Sequence, residues 1–495
     1  MKRPTILLPI LVMLLLIASV THSEAARIGR GSPKFRAIGG VSMGAYGAMN
    51  IGLSHPDLFE TIASLGGPLD MAYLLKFMEV DVLGNYDNPD AYPSRKTLLR
   101  MLQDLIISFG NPVYFNPDST YFPPGITGAN ARMPTTLLDF KDGKYNPDGS
   151  LPVITYEDPR PGQWVKVLLA LDNNKNQKRD EGEPVLTQFH EMFTDEDGNG
   201  LYDSGESFSD AGLDGVEGTG DYGEGDGVFT YNPRRDNFMG QDPLTRASEL
   251  SLASLRDLNL YVDAGTEDEF SFNVHAENFV QTLRDRGLSV RIEDGFPETF
   301  PKVSHFDEKR VYVRYEGGHV GVEKEDIGLS FEQAKDGVEG ALTVANRFTT
   351  LFGFVSDHFP NGQYGTDVYE MFRYPSKMKV RSFYSPSLKR YTRFGIYLPP
   401  GYSRNKSIYY PVLYLLGGYN MSLEGMANAW MRVALDALIL DDQMQKMIIV
   451  VPEGMNYKDG RGHFFVNQID LKRGDRFMDS FFDLVNFIDK GFRTK

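Results

Sequence analysis

Phe35-Arg36-Ala37-Ile38-Gly39-Gly40-Val41-Ser42-Met43-Gly44-Ala45-Tyr46-Gly47-Ala48-Met49 runs an apolar segment into Gly-x-Ser-x-Gly and then into a stretch of small residues. The pattern reads as a strand, a sharp turn carrying Ser42, and a helix. Residues beside the serine of such a turn must be tiny, and Gly40 and Gly44 meet that demand. The helix N-terminus then lies under Ser42, where its dipole favours developing negative charge. Ser42 is thus a candidate nucleophile and the Met43 N–H a candidate oxyanion donor.

A serine of this kind needs a base and an acid. In chain order they are expected at the ends of later strands. Leu258 to Ala264 reads as a strand leading into Gly265-Thr266-Glu267-Asp268, and Arg310 to Tyr315 as a strand ending in Gly317-Gly318-His319. Asp268 and His319 fit in type, order and position. His319 would take the proton of Ser42, and Asp268 would fix the imidazole tautomer. Asp263, Glu267 and Glu269 lie close by as alternative acids. The other histidines lack a strand-end glycine turn: His22 falls in the leader, and His55, His190, His275, His305, His358 and His463 read as surface or satisfied polar residues.

The 495 residues are 41% hydrophobic, enough for a large core. Lys2 and Arg3 precede an apolar run from Ile6 to Val20 and then Ser23-Glu24-Ala25, the pattern of a cleaved secretory signal. The expectation is a secreted or periplasmic protein with no membrane attachment after cleavage. The chain has no cysteine, which excludes disulfides, thiolate metal sites, a cysteine nucleophile and a lipid anchor through cysteine. A formal charge of −16 argues against nucleic acid as a partner.

Most of that charge sits in one segment. Between Asp172 and Asp226 there are sixteen Asp and Glu against three Lys and Arg. Asp195, Asp197, Asn199, Leu201, Asp203 and Glu206 occupy positions one, three, five, seven, nine and twelve of a loop with Gly200 at position six, the spacing of an EF-hand calcium loop. Asp172, Asn174, Asn176, Asp180 and Glu183 repeat it, with Gln177 in place of the glycine. Oxygen ligands at this spacing predict structural Ca2+, and no organic cofactor is expected. The flanks do not read as paired amphipathic helices, so a helical sensor is not expected.

The quoted motifs resemble the esterase D family of α/β-hydrolases, which includes feruloyl and acetyl esterases, S-formylglutathione hydrolases and mycolyltransferases. The resemblance implies an α/β-hydrolase fold, with a mostly parallel sheet and helices on both faces. It also implies a serine esterase acting on a small-molecule or carbohydrate-linked ester through Ser42, His319 and Asp268. The C-terminal block is similar to the part of the family that normally comes first. Tyr397-Leu398-Pro399-Pro400-Gly401-Tyr402 and Tyr410-Pro411-Val412-Leu413-Tyr414-Leu415-Leu416-Gly417-Gly418 look like its early strands and oxyanion loop, although a family histidine normally stands where Gly417 does. This loop brings Gly418 and Tyr419 to the predicted oxyanion hole. The helix over Phe477 to Ile488 looks like the one that normally runs into the nucleophile strand.

The expected organisation is therefore a signal peptide (1–25), a hydrolase part with the nucleophile turn (26–171), an acidic calcium-loop insert (172–245), a hydrolase part with acid and histidine (246–356), a linker (357–374), and the early strands with the oxyanion loop (375–495). That order implies circular permutation, with a truncated tandem or complementation between molecules as rivals. Acyl transfer to a sugar hydroxyl, and a non-catalytic calcium-dependent binding protein on the same scaffold, remain alternative functions.

Overall fold

The computed structural model describes residues 31–77, 239–319, 337–360, 362, 364–456, 460–469 and 474–495. Between 101 and 231 it describes positions 101, 104–105, 107–109, 114–115, 153–157, 164–168, 185–186, 190–194, 196, 202–213, 217–218 and 223–231. Continuous β-branched and leucine-rich runs form the interior strands, as expected where both faces of a parallel sheet are covered. In chain order the strands of the central sheet are β1 (Arg36–Val41), β2 (Thr61–Leu65), β3 (Asn259–Gly265), β4 (Arg291–Asp294), β5 (Arg310–Tyr315), β6 (Lys377–Ser385), β7 (Arg390–Leu398), β8 (Val412–Leu416) and β9 (Ile448–Pro452).

These nine strands form one sheet in the order β6-β7-β9-β8-β1-β2-β3-β5-β4. β6 and β7 make an antiparallel hairpin, β7 is antiparallel to β9, and every other pairing is parallel. The first strand of the chain therefore lies mid-sheet, with Gly40 opposite Leu416 on one side and Ser64 on the other. The C-terminal block completes the same sheet that the N-terminal block begins.

Alternation along the strands splits the core in two. Ile38, Val412, Tyr414, Leu416, Ile448 and Val450 face one buried cluster. Ala37, Leu413, Leu415, Ile449 and Val451 face the other. The first is covered by α1 (Met43–Ser54), α5 (Phe272–Asp285) and α10 (Phe477–Gly491), the second by α6 (Gly337–His358) and α9 (Ala429–Leu440). The remaining helices are α2 (Met71–Phe77), α3 (Pro243–Glu249), α4 (Leu252–Asp257), α7 (Val368–Arg373) and α8 (Leu423–Met426). Helix α10 shows the logic: Phe477, Phe481, Leu484, Val485 and Ile488 fall on one stripe and are buried, each worth about 1.5–3 kcal/mol. This mostly parallel sheet with helices on both faces is the α/β-hydrolase fold.

The end of α10 returns to the start of β1. Asp489 pairs with the buried Arg36, the Lys495 ammonium stands 4.8 Å from the Phe35 ring, and the Lys495 N–H donates to the Tyr410 carbonyl. The 357–374 stretch contains α7, whose Asp367 side chain accepts from the Glu370 N–H. The Asp-x-x-Glu start is a capping signal, but Tyr369 and Phe372 stay exposed, so no amphipathic pattern announces the helix. Helix α6 is described from Gly337 and runs to His358.

In the acidic segment the described residues pack around Phe229, whose ring stacks on Tyr202 at 3.9 Å and meets Phe193, Phe208 and Tyr231 edge-on. The Asp210 carboxylate accepts the N–H groups of Gly225, Asp226 and Gly227. No helix occurs among the described residues of 190–231.

Candidate active site

Ser42 sits between β1 and α1 at φ 54° and ψ −118°, a conformation that costs about 1–3 kcal/mol and needs surrounding structure to hold it. Its N–H donates to the Leu65 carbonyl and its carbonyl accepts from the Tyr46 N–H. Two glycines make the turn possible. A Cβ on Gly40 would strike the Gly44 carbonyl, and a Cβ on Gly44 would strike the Leu416 carbonyl of β8. The second contact ties the elbow to the C-terminal block directly.

The Ser42 Oγ lies 2.9 Å from Nε2 of His319, and Nδ1 of His319 lies 2.9 Å from Oδ2 of Asp268. The three side chains come from the ends of β1, β5 and β3. The Asp268 side chain is 0% exposed and also accepts from the Phe270 N–H. Burial pushes its carboxyl up, but the imidazole and the N–H donors outweigh that and hold it below the usual carboxylate range. An ionised Asp268 can only accept, so Nδ1 carries the hydrogen and Nε2 is left to accept from the Ser42 hydroxyl. That is the tautomer a general base requires. Phe270 and Phe272 set their rings edge-on to the imidazole at 4.9 and 5.1 Å.

The neighbouring acids have other partners. The Glu269 carboxylate accepts the His319 N–H at 2.8 Å. Asp263 is wholly buried and pairs with Arg347 of α6 through Nε and Nη2. Arg347 also donates from Nη1 to the His319 carbonyl at 2.8 Å. Burial works against its charge, but the Asp263 carboxylate outweighs that and keeps the guanidinium cationic. Tyr315 adds a hydroxyl donating to the Gly318 carbonyl. Sequence reading missed Arg347, although one arginine amid Thr343-Val344-Ala345-Asn346 and Phe348 to Phe354 on an otherwise apolar helix was the available signal. Among the histidines set aside, His275 accepts from the Asp70 N–H and His463 bonds the Glu453 carbonyl, both fully enclosed.

The predicted oxyanion residues lie on two sides of Ser42. Met43 opens α1, so its N–H is one the helix leaves without an internal acceptor. Gly418 is close enough that a Cβ there would stand 3.4 Å from the Ser42 Cβ, and its N–H points at the Met421 sulfur at 3.2 Å. The Tyr419 hydroxyl turns aside to Asp104.

Of the predicted calcium ligands, Asp172, Asn174, Asn176, Asp180, Glu183, Asp195, Asp197, Asn199 and Leu201 lie outside the described residues, as does the signal segment. Asp203 and Glu206 are described. The Glu206 carboxylate accepts the Glu196 and Asp203 N–H groups at 2.8 Å each, which brings loop positions two, nine and twelve together.

The family model described as "Putative esterase" matches residues 22–305 and 385–477, stretches that contain Ser42, Asp268 and Gly418 but not His319. No curated protein matches. Among solved structures, a ferulic acid esterase is 26% identical over 24% of this chain and 45% of its own, with a TM-score of 0.22. A mutant of the feruloyl esterase module from Clostridium thermocellum, complexed with sinapinate, is 15% identical over 27% and 43%, with a TM-score of 0.19. The CE1 ferulic acid esterase from the anaerobic fungus Anaeromyces mucronatus is 17% identical over 24% and 45%, with a TM-score of 0.18. The chain thus spans less than half the length of each of these structures. With more than half of its residues matched by that one family model, the chain belongs to the esterase family.

Proposed function

We propose that the chain is an exported serine esterase that cleaves a carboxylic ester through an acyl-Ser42 intermediate. The observation that carries this reading is the unbroken run of hydrogen bonds from the Ser42 Oγ through His319 to the buried Asp268, with Ser42 held on a strained turn. In the first half-reaction Ser42 Oγ attacks the carbonyl carbon as its proton passes to Nε2 of His319. The imidazolium then protonates the departing alkoxide, and Asp268 stabilises the charged ring. In the second half-reaction His319 takes a proton from water as it attacks the acyl carbon; the bond from that carbon to Ser42 Oγ then breaks, the imidazolium returns the proton to Oγ, and the acid is released. The Met43 N–H donates to the oxyanion in both, with the Gly418–Tyr419 loop lying beside it. Transfer of the same acyl group to a sugar hydroxyl uses the same residues, with that hydroxyl in place of water.

Calcium is a structural part of the proposal. The oxygen spacing of residues 195–206 supports it, as does the closure of that loop by Glu206. Circular permutation is a further part. Counted from β6 to β9 and on through β1 to β5, the strands lie in the sheet in the order 1-2-4-3-5-6-7-9-8, nearly sequential. The α10 end meets the β1 start, where the permuted order would be rejoined.

The test is hydrolysis of p-nitrophenyl acetate by the purified chain and by Ser42→Ala. The proposal expects turnover in the first and a loss of at least about a thousandfold in the second. Equal rates in the two would reject it.

A further inference from the structure

The Asp104 carboxylate is fully buried, on a helical stretch far from the C-terminal block in sequence. Its Oδ2 accepts the Tyr419 hydroxyl at 2.6 Å and the Gly462 N–H at 2.9 Å, and its Oδ1 accepts from Arg461 at 2.9 Å. All three donors belong to segments that flank Ser42. Gly462 is wedged between the Tyr419 ring and the Met43 side chain: a Cβ there would stand 2.5 Å from the ring and 3.0 Å from the Met43 sulfur. Phe464 and Phe465 follow with φ of 50° and 56°, a left-handed pair that only firm surroundings maintain. Phe464 meets Tyr46 of α1, Phe109 and Tyr419, so one aromatic cluster joins the Asp104 stretch, the elbow helix and the loop after β8.

We propose that Asp104 is a positioning residue for the oxyanion loop: by holding the Tyr419 hydroxyl and the Gly462 amide at once, it fixes the Gly418–Tyr419 backbone against Ser42. The inference rests on the serine-esterase reading. The physical need is plain. The Gly418 N–H has the soft Met421 sulfur as its partner and the Gly418 carbonyl accepts the Met421 N–H at 3.1 Å, so both bonds close a turn within the loop and neither ties it to the Ser42 turn. A loop with glycines at 417 and 418 has wide backbone freedom. An oxyanion donor displaced by a fraction of an ångström loses most of its effect, because catalysis depends on donors already aimed where the charge develops. A side-chain hydroxyl anchored on a buried carboxylate is a means of removing that freedom.

The experiment compares kcat, KM and melting temperature on p-nitrophenyl acetate for the wild type, Asp104→Asn, Tyr419→Phe and the double variant. Ser108→Ala serves as a control. It removes a hydroxyl that docks the same helical stretch on Gln468 without touching the oxyanion loop. The proposal expects Asp104→Asn and Tyr419→Phe each to lower kcat about thirtyfold, with KM changed less than about twofold. It expects the double variant to be no slower than the worse single one, and Ser108→Ala to keep the wild-type kcat. Tyr419→Phe removes one hydroxyl and keeps the ring packing, so it reads the effect even if Asp104→Asn folds poorly. Unchanged kcat in Tyr419→Phe, or losses that simply multiply in the double variant, would overturn the role of Asp104. A wild type with no Ser42-dependent turnover would remove the esterase reading and this inference with it.

Discussion

Arg347 donates to the main-chain carbonyl of His319 at 2.8 Å, from a guanidinium whose other edge is locked on the buried carboxylate of Asp263. The imidazole is thus held from both ends, with Asp268 at Nδ1 and Arg347 behind its backbone. A turn containing Gly317 and Gly318 would otherwise leave the ring free to wander.

Replacing Arg347 by Met should strand Asp263 as an uncompensated buried charge. Breaking one half of such a pair costs about 3–5 kcal/mol. Urea unfolding should show that loss for Arg347→Met. The paired change Asp263→Asn with Arg347→Met should recover part of it. A loss under about 1 kcal/mol would mean that the pair is not needed.

Gly44→Ala tests the contact between elbow and C-terminal block. The added methyl strikes the Leu416 carbonyl, a backbone atom that cannot swing away. Overpacking costs about 1–3 kcal/mol, and here it also pushes β8 and the loop after it away from Ser42. Hydrolysis should fall at least about a hundredfold while Gly491→Ala, where a methyl meets open space, stays near wild type. Similar rates in both variants would contradict this geometry.

That Ser42, Asp268 and His319 come together could be anticipated because each sits where a strand ends in a glycine-containing turn, a local pattern. The parallel strands were legible as continuous apolar runs. What escaped was long-range. Arg347 and Asp104 act on residues 28 and 315 positions away, and no local pattern marks a side chain by the partner it will meet. Helix α7 escaped because its aromatic residues face outward, so the periodicity that reveals a packed helix is missing.

Acid should destabilise the chain through its buried histidines. Burial pushes His463 down to about 3 and His275 down to about 4. Both stay neutral in the folded state while an unfolded histidine protonates near pH 6.5. The unfolded chain then binds more protons, so this stability is complete above about pH 6.5 and is lost as the pH falls toward 4. Asp242, pushed up by burial to about 6, acts oppositely: its contribution is full below the usual carboxylate value and is lost as the pH rises through 6. Asp104, Asp263 and Glu453 are likewise pushed up by burial and act in the same sense as Asp242, so the histidine part is read by difference. Urea unfolding between pH 6.5 and 4.5 should show less loss of stability on acidification in His463→Gln than in the wild type. Identical pH dependence in the two would contradict the burial of the His463 ring.

Chelation addresses the calcium proposal. An ion bound only by the folded insert stabilises it in proportion to occupancy, so removing it should lower the melting temperature by about 3–6 °C. Glu206→Gln should melt near the chelated wild type and ignore added Ca2+. A wild type indifferent to chelator would defeat the structural-site proposal.

The nucleophile itself is tested most directly by labelling. A fluorophosphonate reacts with a serine whose proton has a base to receive it and whose oxyanion has donors to face. Peptide mass analysis after labelling should place a single adduct on Ser42, near one per chain, and His319→Ala should lose it. An unlabelled chain, or an adduct on any other residue, would contradict the account.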